Sequence, residues 1–108
     1  MFAERFDALL NIAEVSNSLL GRAVNMNGSH IGRLRTGARP LPKKHEYLAS
    51  MCLYLAEHIR KEYQRNALQK LTGIGDAALG SAEHTARYLE QWLLEREKDT
   101  SAATGRLI

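Results

Sequence analysis

The sequence predicts an all-α protein, with a small head of four to five helices and a C-terminal helical extension. Three observations predict it. Apolar residues recur at three-to-four spacing, as in Phe2, Phe6, Leu9, Leu10 and Ala13, which lines one face of a helix. Two prolines and few β-branched residues leave little material for a sheet. Glycine-bearing breaks near Gly28, Gly37, Gly73–Gly75 and Gly80 divide the pattern into helix-length pieces.

The first helix covers the stripe from Phe2 to Ala13. Ser16 or Asn17 offers an N-cap for the second, whose inner residues are Leu20, Ala23 and Val24. Asn25-Met26-Asn27-Gly28 is a turn, because asparagine and glycine tolerate a left-handed backbone. Met26, its single apolar residue, is expected to plug the angle between the helices. Ile31 and Leu34 mark a third helix over about 28–36. Two short helices sharing one small core at a steep angle form a helix-turn-helix, whose second helix is shaped to enter a major groove.

After Gly37 the segment Ala38 to Pro42 is extended, since each proline disfavours helix in the residue before it. Leu41 is expected to anchor this loop. A long helix is predicted from near Lys43, with Leu48, Met51, Cys52, Leu55 and Ile59 inward. A polar stretch, Arg60 to Asn66, leads to Ala67, Leu68 and Leu71, and Thr72 to Asp76 breaks the helix. Ser81 caps a last helix whose apolar face is Ala82, Ala86, Leu89, Trp92 and Leu93. Ser101 to Ile108 shows no pattern and reads as a frayed end or a cut into a longer chain. The division expected is a head over 1–59, an extension over 60–98 and a flexible tail over 99–108.

Charge gives the head a function. The net charge is +3, and its distribution is uneven. Between Glu14 and Glu46 there is no acidic residue, while Arg22, Arg33, Arg35, Arg39, Lys43 and Lys44 all fall inside. The rest is close to balanced. Such a patch attracts phosphates, and counterion release supplies sequence-independent binding. Double-stranded DNA is therefore the expected partner.

Other classes find little support. No apolar run approaches the length of a membrane span, and the amphipathic, partly acidic start is neither a secretory signal nor a transit peptide. The single cysteine cannot form an internal disulfide, which fits a reducing cytoplasm. A cytoplasmic, nucleoid-associated protein is expected. Cys52 lies on an inner stripe and reads as a packing thiol. The four histidines (His30, His45, His58, His84) lack metal-ligand spacing. Gly73-Ile74-Gly75 follows a helix, so it terminates one and does not cradle a dinucleotide. No enzyme, cofactor or metal site is predicted.

The runs Leu20-Gly21-Arg22-Ala23-Val24-Asn25-Met26 and Ser29-His30-Ile31-Gly32-Arg33-Leu34-Arg35-Thr36-Gly37 resemble the phage-repressor and Cro-type (XRE-like) helix-turn-helix regulators. The likeness covers roughly residues 1–60. It implies a small residue where the helices approach most closely, which Gly21 supplies. It also implies a turn residue of positive φ, usually glycine, where this chain has Asn25. Thr36-Gly37 followed by Arg39-Pro40 is a typical ending. Gly28 is expected at the helix start, where its penalty is small. Gly32, costing about 1 kcal/mol relative to alanine, is expected to mark close approach to DNA or to a neighbouring helix.

Carried over residue by residue, the resemblance implies a transcriptional regulator and a reading surface. Asn27, Gly28, Ser29 and His30 form the leading edge of the recognition helix, with Arg33 one turn further. Arg33 suits bidentate contact with guanine or an ion pair with phosphate; His30 reads a base or only solubilises. Asn17 and Ser18 meet phosphate at the start of the preceding helix. Arg35, Thr36, Arg39, Lys43 and Lys44 clamp the other flank. A homodimer through the C-terminal helices is expected, with Tyr63, Leu68, Leu71, Tyr88, Leu89, Trp92 and Leu93 as its anchors, against the option that they cap the head of their own chain. The alternative function is a protein-interaction module that keeps the fold without binding DNA, with Tyr88 and Trp92 holding the partner.

Overall fold

The computed structural model describes the backbone of residues 2–40, 46–75 and 77–106, and side chains as far as Leu94 apart from Ala78. The described residues form helices and no strand. In order they are α1 (Phe2–Ala13), α2 (Asn17–Ala23), α3 (Gly28–Thr36), α4 (Tyr47–Glu57), α5 (Glu62–Thr72), a short 3-10 turn (Ala78–Gly80) and α6 (Ala82–Arg106). The all-α expectation holds. Leu41, Lys43 and Lys44 lie outside the described residues.

Local chemistry sets most of the helix ends. Ser16 is the N-cap of α2, its hydroxyl accepting from the Leu19 N–H at 3.1 Å, which satisfies one orphan donor of the first turn. Asn27 does the same for α3, accepting from the Ser29 N–H at 2.8 Å. Gly37 and Gly73 close α3 and α5 in the left-handed conformation, at φ 84° and 79°, where a side chain would be strained. Ser81 caps α6 through the N–H groups of Glu83 and His84.

The predicted long helix from Lys43 to Leu71 is instead two helices, α4 and α5, broken at His58–Lys61. Gln64 explains the break. Its side-chain oxygen accepts from the Arg60 and Lys61 N–H groups at 3.1 and 3.0 Å, and its amide donates to the Ile12 carbonyl at 2.8 Å. One buried side chain thus starts α5 and ties it to α1, in the manner of the glutamine half of a capping box. The Arg60 guanidinium closes the end of α4 by donating to the Glu57 carbonyl.

Among the described residues one hydrophobic core joins all six helices. Phe6, Leu9 and Leu10 of α1, Leu20 of α2, Ile31 and Leu34 of α3, and Leu48, Met51, Cys52 and Leu55 of α4 are fully buried. Leu68 of α5 and Leu89 of α6 join the same cluster, as do Ile74, Trp92 and Leu93. α1 is the hub, touching α3, α4, α5 and α6, and α6 lies along α4. Arg5 of α1 stacks its guanidinium on the Trp92 ring at 4.7 Å and donates to the Trp92 carbonyl.

Three expectations meet the structure here. Leu68, Leu89, Trp92 and Leu93 are buried within their own chain, and Tyr88 donates to the Thr72 carbonyl at 3.0 Å, so these side chains pack as a cap on the head of their own chain. Ala23 is exposed, and the inner face of α2 is Leu20, Gly21 and the half-buried Val24. α6 also continues to Arg106, across the segment expected to be a tail.

Candidate nucleic-acid interface

α2 and α3 meet through backbone. A Cβ on Gly21 would sit 2.5 Å from the Met26 carbonyl oxygen and 3.3 Å from the Gly28 nitrogen, so only glycine permits this approach. The turn closes on the same residue, with the Met26 N–H donating to the Gly21 carbonyl at 2.7 Å. Asn25 takes φ 58°, the left-handed value asparagine adopts more readily than most residues.

Gly28 and Gly32, one helical turn apart, leave a flat strip on α3 that receives the start of α2. A Cβ at Gly28 would lie 3.5 Å from Ser18 atoms, and one at Gly32 would press to 3.2 Å from the Asn17 amide nitrogen. Of the two roles expected for Gly32, its contact is with the neighbouring helix. Asn17, Ser18, Gly28 and Gly32 are thereby gathered at one end of the α2–α3 pair.

Arg35 joins three helices. Its Nε donates to Asp7 Oδ1 at 2.7 Å, Nη1 to Asn17 Oδ1 at 2.9 Å and Nη2 to Asn11 Oδ1 at 2.9 Å. Nη2 also pairs with Asp7 Oδ1 at 2.7 Å. The fork geometry of guanidinium suits this multiple engagement. A residue expected to hold phosphate is thus engaged in fixing α3 against α1 and α2. The signal lay in Asp7 and Asn11, four apart and so on one face of α1, but their partner could not be read from that spacing.

The outward row of α3 is Ser29, Arg33 and Thr36, all exposed, with Asn27 and Arg39 exposed at its two ends. Neither Arg33 nor Arg39 has an ion pair among the described residues. Arg22, missing from the sequence-based set, is exposed on α2 together with Ser18 and Leu19. Having both arginines of α3 near its C-terminus also complements the helix dipole.

His30 is half-buried, and its Nε2 is closed off from solvent with no partner among the described residues. Burial, with Arg39 and Arg33 nearby, lowers its pKa and favours the neutral ring. The ring therefore faces partly inward from the leading edge. Tyr47 at the start of α4 likewise has a buried, unpartnered hydroxyl among the described residues, and burial raises its pKa.

Catalytic groupings are not apparent among the described residues. No cluster of three or more His, Cys, Asp or Glu side chains could hold a metal. Burial and, secondarily, the Glu90 charge push the Cys52 thiol up to about 12, which suits packing and not nucleophilic attack. A polar hollow of about 520 Å³ between Glu14, Glu57, His58, Arg60 and Lys61 is also lined by Gln64, whose polar atoms are satisfied within the chain. No described helix is long and apolar enough to cross a membrane. No protein-family model matches the chain, nor does any curated protein or any solved structure.

Proposed function

We propose that this chain binds double-stranded DNA as a transcriptional regulator, with α2 and α3 acting as a Cro/repressor-type helix-turn-helix and α3 entering the major groove. One observation carries the reading. The exposed row Ser29–Arg33–Thr36 stands on a helix whose other faces are fixed by glycine contacts to α2 and by the Arg35 network. A groove-reading helix needs such an outward row on a rigid mount.

In this reading Arg33 contacts a base edge, Ser29 and Thr36 flank it, and Arg39, Arg22 and Ser18 meet phosphate. Arg35 and Asn17 position α3, and Gly28 spaces the helices. His30 contributes a neutral ring at the margin of the surface. Tyr88 and Trp92, which a partner-binding module would need at its surface, are engaged inside the chain, and this favours the DNA reading over that alternative.

Fluorescence anisotropy on labelled duplexes tests the proposal. Affinity for random duplex should fall roughly 40-fold between 50 and 200 mM salt for three phosphate contacts. On a sequence selected from a random pool, Arg33→Ala should cost about 1–3 kcal/mol and relax preference at one base pair. Arg39→Ala should weaken all sequences alike and reduce the salt slope by about one. Absence of binding at low salt, or an Arg33→Ala protein indistinguishable from the parent, overturns the assignment.

A further inference from the structure

Where α4 gives way to α5, a second hollow opens toward the start of α6. It holds about 450 Å³ between the end of α4, the first half of α5 and the 3-10 turn that leads into α6. That volume lies within the roughly 300–1,000 Å³ of small-molecule sites. Its wall has two chemistries. Ile59 is buried and Leu79 and Ala82 are half-buried, which gives an apolar side. Arg60 and Arg65, both exposed, give a cationic one.

The two guanidiniums keep donors to offer. Arg60 engages its Nε with the Glu57 carbonyl at 2.8 Å, and neither arginine has an ion pair among the described residues. Glu57 is the one acid on this wall, so the wall carries a net positive charge. α6 begins beside it at Ala82, and the positive end of the helix dipole adds to the field. The planar fork of arginine matches the paired oxygens of a carboxylate or phosphate. The hollow beside Glu14 lacks this bias, because Glu14 and Glu57 there offset Arg60 and Lys61.

We infer that the hollow between α4, α5 and α6 binds a small organic acid, with a carboxylate or phosphate monoester head on a short apolar body. The head meets Arg60 and Arg65, and the body lies against Ile59, Leu79 and Ala82. Such a ligand bridges three helices, so its binding stabilises the folded chain. None of these residues belongs to the α2–α3 surface, and the inference does not depend on DNA binding.

Titration of the full chain with phenyl phosphate and with benzoate, at low salt and without DNA, tests it by calorimetry and backbone amide NMR. At least one acid should bind, with amide shifts concentrated at Ile59, Arg65 and Gly80 to Thr85, and the tighter of the two identifies the head. Inorganic phosphate, which lacks the apolar body, and benzyl alcohol, which lacks the charge, should each bind about tenfold more weakly. Arg65→Ala should weaken the acid about tenfold and leave the fold intact, since the Arg65 side chain has no ion pair among the described residues. Glu57→Gln should tighten it about threefold by removing the opposing charge, and Arg33→Ala should change nothing. The inference is overturned if neither acid binds at millimolar concentration, or if the shifts fall at Arg33 and Arg39 instead. It is equally overturned if inorganic phosphate or benzyl alcohol binds as tightly as the acids, or if Arg65→Ala binds as the parent does.

Discussion

Gly21→Ala is expected to destabilise the protein by about 3 kcal/mol or more, through a single added methyl group. The new Cβ would meet the Met26 carbonyl oxygen at 2.5 Å, the Gly28 nitrogen at 3.3 Å and the Asn27 carbonyl carbon at 3.4 Å. All three are backbone atoms, so none can swing aside as a flexible side chain would. Relief requires α2 to move from α3, which strains the Met26–Gly21 hydrogen bond and opens the core at the fully buried Leu20 and Ile31. In a domain of this size the loss lowers Tm by roughly 12–24 °C. Gly80→Ala is the control, because nothing lies within 4 Å of its Cβ position. A thermal melt placing Gly21→Ala with the control would show that the two helices do not meet as described.

A chain ending at Ile59 is expected not to fold. It would lose Leu68, Ile74, Leu89, Trp92 and Leu93, all buried in the core shared with α1 and α4. At about 1.5–3 kcal/mol for each large buried side chain, their combined contribution matches or exceeds the roughly 5–15 kcal/mol that keeps a domain folded. The cut would also remove Gln64, leaving the Ile12 carbonyl without its donor. Circular dichroism of this fragment should show a largely unfolded chain, and the single change Leu89→Ala should cost about 2–5 kcal/mol in the intact protein. A fragment that melts cooperatively would establish the head as an independent unit.

What could be read from the sequence was what short-range chemistry decides. A cap at Ser16 or Asn17, Asn25 at positive φ, Gly37 and Gly73 as terminators, and Leu20, Ile31 and Leu34 as core residues follow from spacing and backbone preference within a few residues. The features that escaped depend on partners distant in the chain. The resemblance implies that Arg35 meets phosphate, and nothing within its own stretch shows that folding brings Asp7 beside it from α1. The α4–α5 break is invisible to hydrophobic periodicity, since it rests on one glutamine reaching both Arg60 and Ile12. Trp92 and Leu89 fit an interface as well as a core, because the same apolar face serves either. The course of α6 past residue 98 escaped because no apolar stripe guides the eye there.

The burial of Cys52 gives this molecule an internal clock. It is the chain's single cysteine, it sits fully buried on α4, and α6 brings Glu90 close enough to influence it. A thiol reagent can reach it only when the core around α4 opens, so the labelling rate of the native protein counts those openings. With reclosing fast, the ratio of that rate to the rate for an unfolded chain gives the free energy of that opening. Labelling should slow in step with any change that tightens α6, and it should stay constant when only the exposed row on α3 is altered.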